Sequence, residues 1–236
     1  MNRNLLLLAG SALAFAVLFT LAPRLDLVVT GWFYDPVLGF SANDNAMVRI
    51  VYSGVLWGSR ALLWVLGLGF LVTCVLRGAA VAQLRRRLGF LLLAFLLGPG
   101  LIVDVALKDH WGRARPHQVQ EFGGKRQYTP PLKIAQQCAD NCSFVSGHAS
   151  AGFALIAFGF LFTGAARRRW FVGGLAAGLV VGLVRVMQGG HFMSDVIFSF
   201  YFTTLGVLLA AWVFKAMGWT LTCSTARRVA APAPAT

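Results

Sequence analysis

Charge is what this sequence has least of. Only 12% of its 236 residues are Asp, Glu, Lys or Arg, against about 25% in a soluble domain, which excludes a soluble globular enzyme. Acidic residues are scarcest, eight against 21 Lys and Arg. Four cysteines are too few for a disulfide-stapled miniprotein, and no internal repeat is visible. What is abundant is apolar: 58% of the chain is hydrophobic and mean hydropathy is +0.70, which excludes a disordered chain. A net charge of +13 would suit nucleic acid on a polar chain. On one this apolar it points instead to an anionic membrane surface or an anionic substrate, so no nucleic-acid partner is expected.

Six apolar stretches approach the roughly 20 residues that a bilayer-spanning helix needs: 5–22, a span within 47–76, 88–107, 149–166, 171–184 and 196–217. The fifth is short and Gly-rich and can run on to Met187. The expected fold class is therefore all-α, a polytopic membrane protein built as a bundle of six transmembrane helices, with the lipid bilayer as its first partner. Six spans leave both termini on one side. Arg3, Arg77, Arg85 to Arg87, Arg167 to Arg169, Lys215, Arg227 and Arg228 all fall on that side, and none of the acidic residues does. By the positive-inside rule it is cytoplasmic, and the histidines face outward. The first span, preceded by Arg3, is long for a signal sequence and lacks a convincing cleavage site, so it reads as a retained helix. One membrane domain is expected over 1–224, with a disordered cytoplasmic tail at 225–236. Cys74 and Cys223 read as structural thiols. Cys138 and Cys142, in an outward loop, are candidates for a short disulfide in an oxidising compartment.

Three polar clusters lie where helices meet the same aqueous face. The first is Lys108-Asp109-His110-Trp111-Gly112-Arg113-Ala114-Arg115-Pro116, the second Ser143-Phe144-Val145-Ser146-Gly147-His148, and the third Arg185 through His191 to Asp195. Ionisable groups at membrane edges are costly, which makes them functional candidates. Lys108, Arg115 and Arg185 supply three cations, two of them guanidiniums that fork onto phosphate oxygens. Ser146-Gly147 before a helix start offers a hydroxyl and free N–H groups to an anion. His191 and Asp195, four apart, share a face if helical; a carboxylate on one ring nitrogen leaves the other as a nucleophile. His148 can then protonate a leaving alkoxide. Each group has a plainer reading alone. Lys108 and Arg115 would be snorkelling anchors, His148 an interfacial hydrogen-bonder, and His191 with Asp195 half of a zinc site completed by His110 or His117. The surrounding Lys and Arg repel a divalent cation, and the joint pattern favours phosphoryl transfer through a phosphohistidine.

These motifs resemble the three signatures of the type 2 phosphatidic acid phosphatase superfamily: Lys108, six residues, Arg115-Pro116; Ser146-Gly147-His148; and Arg185, five residues, His191, three residues, Asp195. The resemblance covers about 88–201. Val145 stands where Pro is usual and Val184 where Ser is usual; neither change removes a charged or nucleophilic group. The resemblance implies that His191 is the nucleophile, Asp195 its partner and His148 the acid. Lys108, Arg115, Ser146, Gly147 and Arg185 hold the phosphate, with no metal and no other cofactor.

The stretches around 98–100, 122–124, 129–131 and 141–150 further resemble bacterial lipid A phosphatases, the 4′-phosphatases above all. This implies a phosphorylated lipid substrate, lipid A modification at the periplasmic face of the inner membrane, and loss of the 4′-phosphate. Phosphatidylglycerophosphate, phosphatidate and undecaprenyl diphosphate remain alternatives, as does a lipid transporter or lipid-binding protein that grips phosphate without cleaving it. Lys125, Arg126 and Lys133 in the long outward loop, and Arg60 near Trp57, are candidate headgroup contacts; a solvated basic loop is the plainer reading of the first three. Trp32-Phe33-Tyr34 and Trp57 read as an interfacial aromatic belt. Asp104, one turn before Lys108, reads either as an ion-pair partner that positions it or as a charge that merely neutralises a buried helix end. Oligomeric state is not legible.

Overall fold

The computed structural model describes residues 3–222, so Cys223 and the proposed tail at 225–236 lie outside the described residues. Seven helices follow in order: α1 Arg3–Leu21, α2 Leu25–Gly31, α3 Ala46–Val75, α4 Ala79–Phe95, α5 Gly147–Phe153, α6 Gly164–Met187 and α7 Met193–Ala216. Helix α4 continues without a break as a π-helical run, Leu96–Leu107, and α5 as a 3-10 run, Ala154–Leu161. Among the described residues there is no β-strand, only the isolated bridges Asp35 with Gly39 and Val119 with Arg126.

Five of these helices are long and apolar enough to cross a membrane. The sixth expected span is shorter, an apolar helix over Gly147–Leu161. Its 3-10 second half rises about 2.0 Å per residue rather than 1.5 Å, which stretches it to about 27 Å, close to the hydrocarbon thickness. The expected boundaries shift in an instructive way. Arg85 to Arg87 belong to α4 and Arg167 to Arg169 to α6, where a link was expected. They are helical because helix continues wherever backbone groups near an apolar medium need partners. In α4 these side chains hold neighbouring segments: Arg85 donates to the Thr73 carbonyl near the end of α3 at 3.2 Å, Arg87 to that of Leu221 at 3.1 Å, and Arg86 lies over the Trp219 ring.

Two cores stack along the bundle. Phe90, Ala94, Phe95, Ala157, Val207 and Phe214 fill the half next to the arginine clusters. Phe19, Val103, Leu107, Phe144, Val145 and Phe198 fill the half next to the three motifs. Small residues set how closely the helices approach: a Cβ on Gly206 of α7 would collide with the Gly98 backbone of the π-helical run, and one on Gly152 of α5 would stand 2.8 Å from the Cα of Gly178 in α6. Close approach at glycine replaces hydrophobic drive as the source of helix packing in lipid. Over the site end, the connection between α4 and α5 folds into a cap on Phe40, Ala114, Val119, Phe122 and Phe192.

Candidate active site

The π-helical run ends at Leu107, so Lys108 stands at its C-cap, with Nζ 3.4 Å from Asp104. Ser146 caps α5, accepting from the Ala149 N–H at 3.4 Å, while Ser199 donates to the Ser146 carbonyl at 2.8 Å. These two turns meet: a Cβ on Gly147 would stand 3.1 Å from Lys108 Nζ and 2.8 Å from Asp104 Oδ1. Arg115 comes from the cap, and its Nη2 donates to the Asn141 carbonyl at 2.7 Å and to Asn141 Oδ1 at 2.9 Å. Asn141 holds a positive φ of 47° inside the short loop that a Cys138–Cys142 disulfide closes, with Cα atoms 5.7 Å apart. Arg185, in the last turn of α6, is buried; its Nη1 donates to Gln188 Oε1 at 2.6 Å. Burial pulls Lys108 below its ordinary value; Asp104 opposes this, and Arg115 and Arg185 add to it. Burial likewise lowers Arg115. Three partly desolvated cations that repel one another form a cradle that a bound oxyanion would relieve.

His191 lies two residues before α7 begins, so it and Asp195 do not share a helical face as the spacing suggested. Its Nδ1 donates at 2.7 Å to the Ser143 carbonyl, while Asp195 Oδ2 stands 3.8 Å away. The immediate partner of the imidazole is thus a backbone carbonyl. Asp195 acts one step back: Oδ2 accepts from Ser143 Oγ and the Phe192 N–H, Oδ1 from Arg113. With Nδ1–H donated, Nε2 carries the lone pair. Burial, against the pull of Asp195, pushes His191 down to about 3, so the ring is neutral near pH 7. His148, the second residue of α5, stacks on Tyr52 at 4.5 Å and 17°, and its buried Nε2 has no hydrogen-bond partner. The Arg185 guanidinium lies 4.8 Å over the same Tyr52 ring.

Four of these residues were not singled out from sequence. Tyr52 sits on an apolar helix with nothing in its spacing to mark it. Ser143 acts largely through its backbone. Arg113 lay within the first cluster but was passed over beside Arg115, and Asp26 was one acidic residue in an apolar chain whose partner, Arg113, lies 87 residues away, although Arg24 is near it in sequence. Arg113 and Asp26 pair completely buried.

The headgroup candidates separate. Arg60 lies over Trp57 at 5.2 Å and borders a groove of about 300 Å3, shared with Lys108, His148, Val55, Leu63 and Phe95. Lys125, Arg126 and Lys133 are exposed, and Arg126 borders a different hollow beside Asp109, His110 and Cys138. A larger cavity of about 640 Å3 opens beside Arg185, lined also by Tyr34, Asn43, His117, Phe122 and Gln188. The aromatic belt also divides. Trp32 and Trp57 are exposed, whereas Tyr34 turns inward, 5.2 Å from both Phe40 and Phe122.

Residues 88–220, more than half of the chain, match the family described as the PAP2 superfamily. The chain belongs to the PAP2 superfamily. The matched segment contains Lys108, Arg115, Ser146, Gly147, His148, Arg185, His191 and Asp195; Asp26 and Tyr52 precede it. Relatives agree over more of the length. The chain is 35% identical over 213 residues to a lipid A 4′-phosphatase of Francisella tularensis subsp. novicida, covering 85% of this chain and 89% of that one. It is 36% identical over 191 residues to a lipid A 4′-phosphatase of Rhizobium leguminosarum, covering 79% and 74%. Over 151 residues it is 32% identical to a lipid A 1-phosphatase of Rhizobium etli, covering 64% and 60%. No solved structure matches the chain. The protein is accordingly an enzyme, a phosphoric monoester hydrolase of the lipid phosphatase kind.

Proposed function

We propose that this phosphatase removes the 4′-phosphate of lipid A at the periplasmic face of the inner membrane, without a metal, through a phosphohistidine at His191. The observation that carries the chemistry is the pairing of a neutral, buried His191 anchored through Nδ1 with a second histidine whose Nε2 is unpartnered, beside three cations. His191 Nε2 attacks phosphorus and the bond to the sugar oxygen breaks, with His148 delivering the proton to that oxygen. Water then attacks the phosphorus of the phosphohistidine, His148 takes back a proton, and inorganic phosphate leaves with His191 restored. Lys108, Arg115, Arg185 and the Ser146-Gly147 turn hold the three equatorial oxygens, as fixed charges do in phosphoryl transfer.

In this reading six crossings leave both termini on one side, and the placement of the arginines supports the cytoplasm for that side and the outside for the motif end. The two hollows beside the cradle suit a lipid with a sugar headgroup. The groove at Arg60 is largely apolar and lies along α3, where an acyl chain fits. The larger cavity at Arg185 mixes Tyr34 and Phe122 with Asn43, Gln188 and His117, a combination of ring faces and hydrogen-bonding groups that suits a sugar.

The substrate reading is tested with purified enzyme in detergent containing EDTA. Lipid A, phosphatidylglycerophosphate and undecaprenyl diphosphate are supplied separately, and products are located by fragmentation mass spectrometry. Selective loss of the 4′-phosphate is expected. Preferred release from another lipid overturns the substrate, and restoration by zinc of an EDTA-abolished activity overturns the metal-free chemistry.

A further inference from the structure

Arg113, Asp26 and Asp195 have wholly buried side chains. Arg113 stands between the carboxylates, with Nη1 2.5 Å from Asp195 Oδ1 and Nη2 2.8 Å from Asp26 Oδ2. Its Nε donates to the Thr129 carbonyl at 2.8 Å, and the guanidinium lies 4.3 Å over the ring of Phe192. Burial alone would depress Arg113, but Asp195 and Asp26 overcome it and hold it charged. Burial, the largest effect, and the nearby Asp195 raise the Asp26 carboxyl above the ordinary carboxylate range, against the pull of Arg113 and Ser194; the case for its charge is the geometry of its partners. The groups around Asp26 are donors: the Ser194 N–H at 2.9 Å, the Ser194 hydroxyl at 2.5 Å and Arg113. An ionised carboxylate accepts all three, whereas a protonated one could donate only to Ser194 Oγ, which already accepts from Arg113 Nη1 at 2.9 Å, and would displace that hydroxyl's own proton.

Two buried carboxylates on one guanidinium leave one surplus negative charge. A purely structural ion pair needs only one carboxylate, and a surplus buried charge is expensive. The adjoining group is His191, joined to Asp195 through Ser143, whose carbonyl accepts from Nδ1 and whose hydroxyl donates to Asp195. Arg185 and Arg115, the other charged groups acting on His191, are both positive. A phosphorylated imidazole holding its Nδ1 proton is itself cationic, so those arginines oppose its formation.

We propose that Asp26 is a positioning residue for phosphoryl transfer: through Arg113 it fixes Asp195 and Ser143, and it gives the buried cluster the surplus negative charge that offsets the positive charge arising on His191 when Nε2 takes the phosphoryl group. The inference rests on the phosphohistidine reading. It makes α2, which precedes the family-matched segment, a working part of the site.

The test compares Asp26→Asn with Asp26→Glu in the full-length enzyme. Rapid quench reads the burst of phosphoenzyme per folded molecule, and steady state reads KM. Asp26→Asn, nearly isosteric but uncharged, is expected to slow the burst about 10-fold or more with KM within about twofold, because the cradle is untouched. Asp26→Glu, larger but charged, is expected to keep more of the burst rate than Asp26→Asn. A structural role predicts the reverse order, since the isosteric amide packs better, and an unchanged burst in Asp26→Asn overturns the proposal outright. If Asp26→Asn does not fold, Asp26→Glu against Asp26→Gln reads charge at matched shape, with the same two outcomes. A wild-type enzyme that turns over without any phosphoenzyme overturns the phosphohistidine reading and this inference together. A wild-type burst with an undiminished burst in the uncharged variants overturns this inference alone.

Discussion

Tyr52 shows how much of this site is geometry rather than charge. Its ring carries His148 on one contact and Arg185 on another, so removing the ring should matter and removing the hydroxyl should not. Tyr52→Phe is expected to keep kcat within about twofold, while Tyr52→Leu forfeits about 0.5–1.5 kcal/mol of stacking and up to about 10-fold in kcat. Steady-state kinetics on both variants check this; equal losses would assign the effect to the hydroxyl. Arg185→Ala should cost on the order of 10²-fold or more, as deleting an oxyanion donor does, and a loss under about threefold would count against phosphate contact. The pH dependence follows from His191. Its value is lowered by burial to about 3, so the proposed nucleophile stays neutral as pH falls from 7 to 4, and single-turnover rates should show no acid limb from its protonation there. At this scale the sequence displayed the cationic and histidine positions through their spacing. It concealed Tyr52 and Asp26, because their partners are distant in the chain, and it misplaced Asp195 against His191, because a helix start falls between them.

At the level of elements, the helices were visible as apolar runs, but their ends were not. Arg85 to Arg87 and Arg167 to Arg169 look like loop residues by charge, yet they fold as helix because backbone hydrogen bonding near lipid outweighs side-chain polarity. The π-helical run around Pro99 and the 3-10 half of the fourth apolar helix carry no periodic signal that separates them from α-helix. Helix contact rests on glycine. Gly206→Val should force α7 off the π-helical run, since even a Cβ there collides with Gly98, at a cost of about 1–3 kcal/mol. Gly173→Ala, which meets nothing within 4 Å, should leave stability unchanged. Thermal unfolding in detergent compares them, and equal melting temperatures would contradict packing at Gly206. The Cys138–Cys142 loop presents Asn141 to Arg115. Replacing both cysteines by serine should raise KM several-fold with a smaller change in kcat, and an unchanged KM would detach the loop from the cradle.

For the molecule as a whole, the motifs converge at one end of the bundle and the arginine clusters lie at the other, joined by cores that run its length. The low charge and high hydropathy of the sequence already implied such a bundle. The cap, and the use of the α1–α3 connection as part of the site, depended on contacts that no local pattern encodes. The proposed outward placement of the motif end predicts that a cysteine introduced at exposed Lys133 reacts with a membrane-impermeant maleimide in intact spheroplasts, and one at Arg77 only after permeabilisation; the opposite labelling would invert the proposed topology.

The phosphohistidine itself is the most direct thing to measure. Wild-type enzyme is mixed with lipid A carrying labelled phosphate, quenched in alkali within the first turnover, digested, and the labelled residue located by mass spectrometry. Label on His191, absent from His191→Ala and accumulating when His148 is replaced by an acid-incompetent side chain and a better leaving group is supplied, is the predicted result. Label on any other residue, or turnover with no labelled protein at all, would contradict it.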